Sequence, residues 1–197
     1  AGAKAAYRFF DSDEVEPEAI YKQHRQSVIR RAQGEPVVLA IGDTTQLDYT
    51  THLNTRGTGP LGDVEHHGLL VQPTLAVTPQ RVPLGLVGQY IWTRDYETFG
   101  QSNTKEAEQR PISEKESVKW LNSLEASERF QEELGPSETR VIAVFDREGD
   151  VFEVLQRAKR PEAKCGLLVR SNYDRRLENE EEHLWKFMEK QSVCGTL

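Results

Sequence analysis

The chain has 197 residues, of which 29% are charged and 37% hydrophobic, and a formal net charge of −7. That length carries one domain, or one domain and an appendage, with a core that needs no staples. No apolar run is long enough to cross a bilayer, Cys165 and Cys194 are too few for a disulfide framework, and no Cys/His spacing fits structural zinc. The acidic balance argues against a free-standing nucleic-acid binder with a basic stripe. It leaves open an enzyme that grips nucleic acid through metal ions and a few local arginines. The first ten residues, AGAKAAYRFF, lack the regions of a signal peptide, so cytosolic, reduced thiols are the expected setting.

The first element is a helix. Pro17 suits a first helical turn, Ile20, His24 and Val28 lie four apart, and Gly34 with Pro36 gives the stop. Residues 1–36 therefore read as an N-terminal helical segment. Val37 to Ile41 is a continuous apolar run rich in β-branched residues, as in a strand buried on both faces, and it ends at Gly42-Asp43. The stretch LNTRGTGPLGDVEHHG is polar and glycine-rich, which predicts a loop. LLVQPTLAVT and PLGLVGQYIWT, joined through Pro79 to Val82, predict a hairpin that extends the first strand into a meander of three. Residues 94–112 read as a long polar loop.

Ser113 with Glu116 has the form of a capping box for a helix whose apolar face is Val118, Leu121, Leu124, Phe130 and Leu134, stopped by Gly135-Pro136. VIAVF is the fourth strand. Asp150 with Glu153 suggests a cap on a helix running to about Ala158. KCGLLVRS is the fifth strand, and the charged tail is helical around Leu184 to Met188. The order β-β-β-α-β-α-β predicts an α/β fold with a mixed five-stranded sheet and flanking helices.

Asp43 and Asp146 stand in the same setting, each directly after a five-residue apolar strand. Ligands of α/β sheets bind at the carboxyl ends of strands. If these two strands are parallel neighbours, the carboxylates meet at one edge and repel unless a cation intervenes. Mg²⁺ or Mn²⁺ suits such oxygen ligands, and a pair of ions can drive phosphoryl transfer. Against this stands the plain reading of an Asp after a strand as a turn former or helix cap.

The remaining candidates are weaker. Glu65 with His66 and His67 offers metal-ligand types, but adjacent residues on a strand point to opposite faces. GTGPLG is not a phosphate loop, for no Lys-Ser/Thr and no helix follow. Lys115 and Lys119 with Glu114 and Glu116 read as a solvated helix face. Arg170, at the end of the fifth strand, suits either a phosphate contact or a salt bridge near the aspartates.

AAYRFF, AIGDTT, GLLVQPTLAVTPQRVPLGL, IWTRD, EKESVKW, VFDREGD and LLVRS occur in this order. The arrangement resembles the DDE transposases of the IS-four family, the transposon Tn-five type, from about Ala5 to Ser171. The resemblance implies an RNase H-like catalytic core over 37–172, here incomplete at its C-terminus. It also implies an Asp, Asp, Glu triad that binds two divalent ions, cuts DNA at transposon ends and joins the freed 3′ hydroxyl to target DNA.

On that pattern Asp43 is the first acid and Asp146 the second, with Mg²⁺ or Mn²⁺ as cofactor. Arg147 and Arg170 match positions that support the site or contact DNA. The family's basic residue after VRS is replaced by Asn172, and Arg175 and Arg176 are the candidates to substitute for it. The third acid, in a Tyr-Arg-x-x-Glu signature after a β-rich insertion, has no match. Glu178, Glu180, Glu181 and Glu182 are acidic but stand in the wrong context. Residues 173–197 then read as the start of that insertion, and the chain as a truncated core with an apolar sheet face left partly uncovered.

The expected partners are DNA (transposon ends and target), with a homodimer or pairing with full-length transposase possible and no membrane. The expected location is the bacterial cytoplasm, at the nucleoid. The alternatives are an inhibitory DNA-binding relative and another RNase H-like nuclease.

Overall fold

The computed structural model describes residues 2–52, 54–100, 109–178 and 182–193. Five helices and seven strands form among them: α1 (Gly2–Phe10), α2 (Pro17–Ala32), β1 (Val37–Gly42), β2 (Thr45–Asp48), β3 (Gly59–Pro60), β4 (His67–Val77), β5 (Pro83–Trp92), α3 (Val118–Glu133), β6 (Arg140–Phe145), α4 (Phe152–Ala158), β7 (Gly166–Val169) and α5 (Leu184–Glu189). α1 lies within the N-terminal segment read as helical, as an element separate from α2. It carries an apolar stripe of Ala3, Ala6, Tyr7 and Phe10 yet buries none of its residues. The expected loop 94–112 falls partly outside the described residues, as do Glu180, Glu181 and Cys194.

The predicted meander is present. β1 runs antiparallel to β4 from Leu39↔Val77 to Gly42↔Thr74, and β5 pairs with the other edge of β4. β6 lies parallel to β1, in register from Val37↔Arg140 to Gly42↔Phe145, and β7 is parallel to β6. The long strands therefore lie in the order β5-β4-β1-β6-β7 within one open, mixed sheet.

The expectation of five strands is corrected to seven. β2 arises because the register of β1 on β4 resumes after a gap of two residues, with Gly42 opposite Thr74 and Thr45 opposite Val71. The same register sets Asp43 opposite Pro73, which has no N–H to give to a ladder. β3 is two residues long and pairs with the end of β4.

Among the described residues, the helices that cover the core lie on one face of the sheet. Val38, Ala40, Ala76, Val141, Ala143 and Phe145 point into a cluster with Val28 and Ala32 of α2, Trp120, Leu124 and Phe130 of α3, and Val154 of α4. α2 is seated on β5 by two polar contacts: Arg31 Nε donates to the Leu84 carbonyl at 2.8 Å, and His24 Nε2 accepts from the Leu86 N–H at 2.9 Å. Gly85 beneath it has φ +133°, and a Cβ there would lie 2.6 Å from Val28 Cγ2, so glycine is required on both counts.

Two helix starts differ from expectation. Ser113 and Glu116 form no capping box: residues Ile112–Glu114 make a short 3₁₀ turn, and α3 begins after Ser117 without a side-chain cap. The buried stripe of α3 is also rotated, to Lys119, Trp120, Ser123, Leu124, Ala126, Ser127 and Phe130. Small residues decide this, because they let the helix approach the sheet. A Cβ on Gly88 of β5 would lie 2.4 Å from Ala126 Cβ. Likewise Asp150 does not cap α4, which starts after Val151; its carboxylate is used elsewhere.

Candidate metal and DNA site

The parallel ladder of β1 and β6 pairs Gly42 with Phe145, so the next residues, Asp43 and Asp146, leave the sheet side by side at its carboxyl edge. Neighbouring strands lie about 4.8 Å apart. Gly42 and Phe145 are buried on the helix side, and alternation therefore directs both aspartates to the opposite, open face. Gly42 packs closely here: a Cβ would lie 3.0 Å from Phe145 Cε1 and fit only if that ring shifted slightly.

Both carboxylates are exposed. Each makes one local bond: Asp43 Oδ1 accepts from the Thr44 N–H at 2.8 Å, and Asp146 Oδ1 accepts from the Glu148 N–H at 2.9 Å. A carboxylate has about four lone-pair sites, so each retains oxygen capacity for a cation. Thr44 turns the other way and donates Oγ1 to buried Gln72 Oε1 at 2.6 Å. That bond anchors the strand immediately beyond Asp43.

The acidic run after β6 divides its work. Only Asp146 faces the open edge. Glu148 accepts at Oε2 from Lys119 Nζ at 3.0 Å. Lys119 was expected on a solvated helix face, and here the structure corrects the reading: it is 6% exposed. Its ammonium lies 5.8 Å from the Trp92 ring and 5.5 Å from the Trp120 ring, positions that favour a cation electrostatically. Beside it Arg94 makes a two-pronged pair with Glu116, Nε to Oε2 at 2.7 Å and Nη2 to Oε1 at 2.8 Å. Burial pushes the Glu116 carboxyl up, but Arg94 and Lys119 outweigh it and hold it below the ordinary range.

Asp150 is buried and accepts from the backbone N–H of Asn172 at 2.7 Å and of Tyr173 at 3.1 Å. Arg175 closes on its other oxygen, Nε at 3.1 Å and Nη2 at 2.9 Å. Burial raises the Asp150 carboxyl, and these donors more than reverse that, leaving it below the usual carboxylate value.

The sequence-predicted arginines thus separate. Arg147 follows Asp146 and is exposed. Arg170 is exposed too, and its N–H donates to the Phe145 carbonyl at 3.1 Å, which sets it beside the Asp146 turn. Asn172 is exposed and contributes a backbone donor to Asp150. Arg175 is taken up by Asp150, while Arg176 is exposed in a bridge to His183.

The other candidates are not brought to this edge. His66 Nδ1 lies 2.8 Å from Asp63 Oδ1, an exposed pair whose hydrogen bonding raises the imidazole and lowers the carboxyl. Glu178 pairs with Lys159 and Glu182 with Lys190. Among the described residues no three His, Cys, Asp or Glu side chains come together in a group able to hold a metal ion. The donor set at the edge is therefore a pair. A pair still fits Mg²⁺, which is commonly held through one or two carboxylates, with waters and substrate phosphates completing its shell.

Sequence reasoning missed Lys119, Glu148 and Asp150 as working residues. The signal was there in EKESVKW and DREGD, two charge-dense strings that each touch an apolar element. Among the described residues no helix is long and apolar enough to cross a membrane. No protein-family model matches the chain.

Proposed function

We propose that this chain carries the metal-binding edge of a DNA-processing core of the DDE transposase type, RNase H-like in architecture. The observation that carries the reading is the in-register parallel pairing of β1 and β6, which brings Asp43 next to Asp146. A meander of three strands followed by two parallel additions on the far side of β1 supports the RNase H-like assignment.

In this reading Asp43 and Asp146 hold Mg²⁺ or Mn²⁺. A bound ion of this kind polarises a phosphoryl oxygen and lowers the pKa of water. Arg147 and Arg170, exposed on the flanks of the pair, contact the DNA phosphates. Arg176 extends that contact, whereas Arg175 acts from behind through Asp150. DNA is the partner, and a bacterial cytoplasmic setting at the nucleoid follows from that substrate. With two acids and no third beside them among the described residues, the chain binds the ion weakly and does not cut DNA unaided.

The test is Mn²⁺ titration followed by electron paramagnetic resonance. Wild type binds, and Asp43→Asn and Asp146→Asn each weaken binding at least about tenfold, the scale on which metal sites respond to lost support. Equal Mn²⁺ affinity in wild type and both variants removes the reading. Strand cleavage of transposon-end DNA by the chain with Mn²⁺, lost in Asp146→Ala, would overturn the inactivity.

A further inference from the structure

The turn that carries Asp146 is braced from behind. Asp150, four residues on, has a side chain only 3% exposed. Its Oδ2 accepts from Asn172 N–H at 2.7 Å and Tyr173 N–H at 3.1 Å, with Ser171 Oγ at 3.4 Å. Its Oδ1 accepts from Arg175 Nε at 3.1 Å and Nη2 at 2.9 Å, and its own backbone carbonyl takes a further bond from Nη2 at 2.6 Å. The Arg175 guanidinium in turn lies 5.1 Å from the Tyr173 ring. One carboxylate thus fastens the chain after β7 to the turn after β6.

Between the two fastened points sit the groups that need a fixed separation. Arg170 follows β7 directly and is tied by its N–H to Phe145. Asp146 follows β6, and its turn is closed by the Gly149 N–H on the Asp146 carbonyl at 3.1 Å and by the Glu148 N–H on its Oδ1. Gly149 is part of the same packing: a Cβ there would lie 2.5 Å from Phe145 Cβ. Release of Asp150 frees both ends of this assembly together. A buried carboxylate with this many donors is a costly arrangement to build for a plain surface turn, since its charge must be fully compensated.

We infer that Asp150 is a positioning residue, which holds the Asp146 carboxylate and Arg170 at a set distance across the β6–β7 edge and so sets metal affinity without touching the metal. The inference rests on the reading of Asp43 and Asp146 as the metal pair. Outer partners of this kind typically change metal affinity by about 10–100-fold when removed.

The test is Asp150→Asn in the full chain, with two readouts: Mn²⁺ affinity by electron paramagnetic resonance, and amide hydrogen exchange at Glu148 and Gly149. The expected result is about tenfold weaker Mn²⁺ binding, with faster exchange at those two amides, in a protein whose circular dichroism is unchanged. A variant with a lowered melting temperature but wild-type Mn²⁺ affinity and wild-type exchange at Glu148 and Gly149 makes Asp150 merely structural and overturns the inference. If the wild-type chain binds no Mn²⁺, the metal-pair reading fails. The exchange data then decide the bracing by themselves: faster exchange upholds it and unchanged exchange sinks it. Should Asp150→Asn not fold, Arg175→Gln removes the guanidinium half of the brace, leaves the backbone donors in place, and is judged on the same two readouts.

Discussion

The two faces of the central sheet are built from similar side chains and end in different surroundings. On one, Val38, Ala40, Val141, Ala143 and Phe145 are buried beneath α2, α3 and α4. On the other, Leu39, Ile142 and Val144 are half-buried, Ile41 is 36% exposed and Leu168 60%. Both aspartates emerge toward the second face. Strand hydrophobicity alone does not choose between these faces, because β1, and β6 after Arg140, carry apolar side chains on both. The choice is made by the helices and by the small residues that admit them, Gly88, Ser123, Ala126 and Ser127. The open face is then free to present charged groups at its carboxyl edge, which a helix packed at contact distance would bury.

The covered face supplies the largest expected effect. Phe130 is 0% exposed within the core cluster. Phe130→Ala is expected to cost about 3–5 kcal/mol, through lost burial and the cavity it leaves. Urea unfolding measures this directly, and a loss below about 1 kcal/mol would mean that α3 is not seated on the sheet as described.

Next in size is the brace behind the open edge. The folded Asp150 carboxyl lies below its ordinary value because backbone donors and Arg175 outweigh burial. A depressed carboxyl contributes stability that is fully present above the unfolded pKa, about 3.9, and is lost as pH falls through the lower folded value. Asp150→Asn should therefore lower stability at neutral pH by about 1–3 kcal/mol, as expected for losing charge-assisted hydrogen bonds. It should also flatten the acid limb of the stability curve below about pH 4. Parallel acid limbs in the two proteins would show that this carboxylate is not held by its donors in solution.

Much of the fold was legible because it depends on short-range pattern. Pro17 announced α2, the alternation and turn chemistry around Pro79 to Val82 announced the hairpin, and the order of strands and helices announced a mixed sheet. The parallel pairing of β1 with β6 could be posed as a condition from the two matching Asp-terminated strands, and the structure meets it. What escaped depends on contacts between distant segments. Lys119 looked solvated because its neighbours Glu116 and Lys115 are polar, yet Trp92, Trp120 and Glu148 enclose it. Asp150 with Glu153 had the spacing of a cap, and the donors that claim it come from residues 172–175. Strand β2 is exposed throughout and has a single apolar residue, Leu47, so no apolar period could reveal it. Its existence follows from the continuing register on β4.

The smallest effect gives the cleanest comparison of the faces, because one substitution can be made on both sides of one strand. Val141 is 0% exposed on the helix side of β6, and Val144 is half-buried on the open side of the same strand. Threonine matches valine in shape and in β preference, so Val→Thr changes little except to place a hydroxyl where a methyl was. At Val141 that hydroxyl sits in an apolar core, and a loss of about 1–3 kcal/mol is expected, the usual cost of an uncompensated buried hydroxyl. At Val144 water reaches the position, the hydroxyl is solvated, and the loss should stay under about 0.5 kcal/mol, as for surface substitutions generally. The two variants share a strand, a chemistry and an unfolded state, so their difference in urea midpoint reports the environment of each face. Equal losses near the larger figure would mean that the open face is covered in solution, and that whatever covers it lies over Asp43 and Asp146 as well.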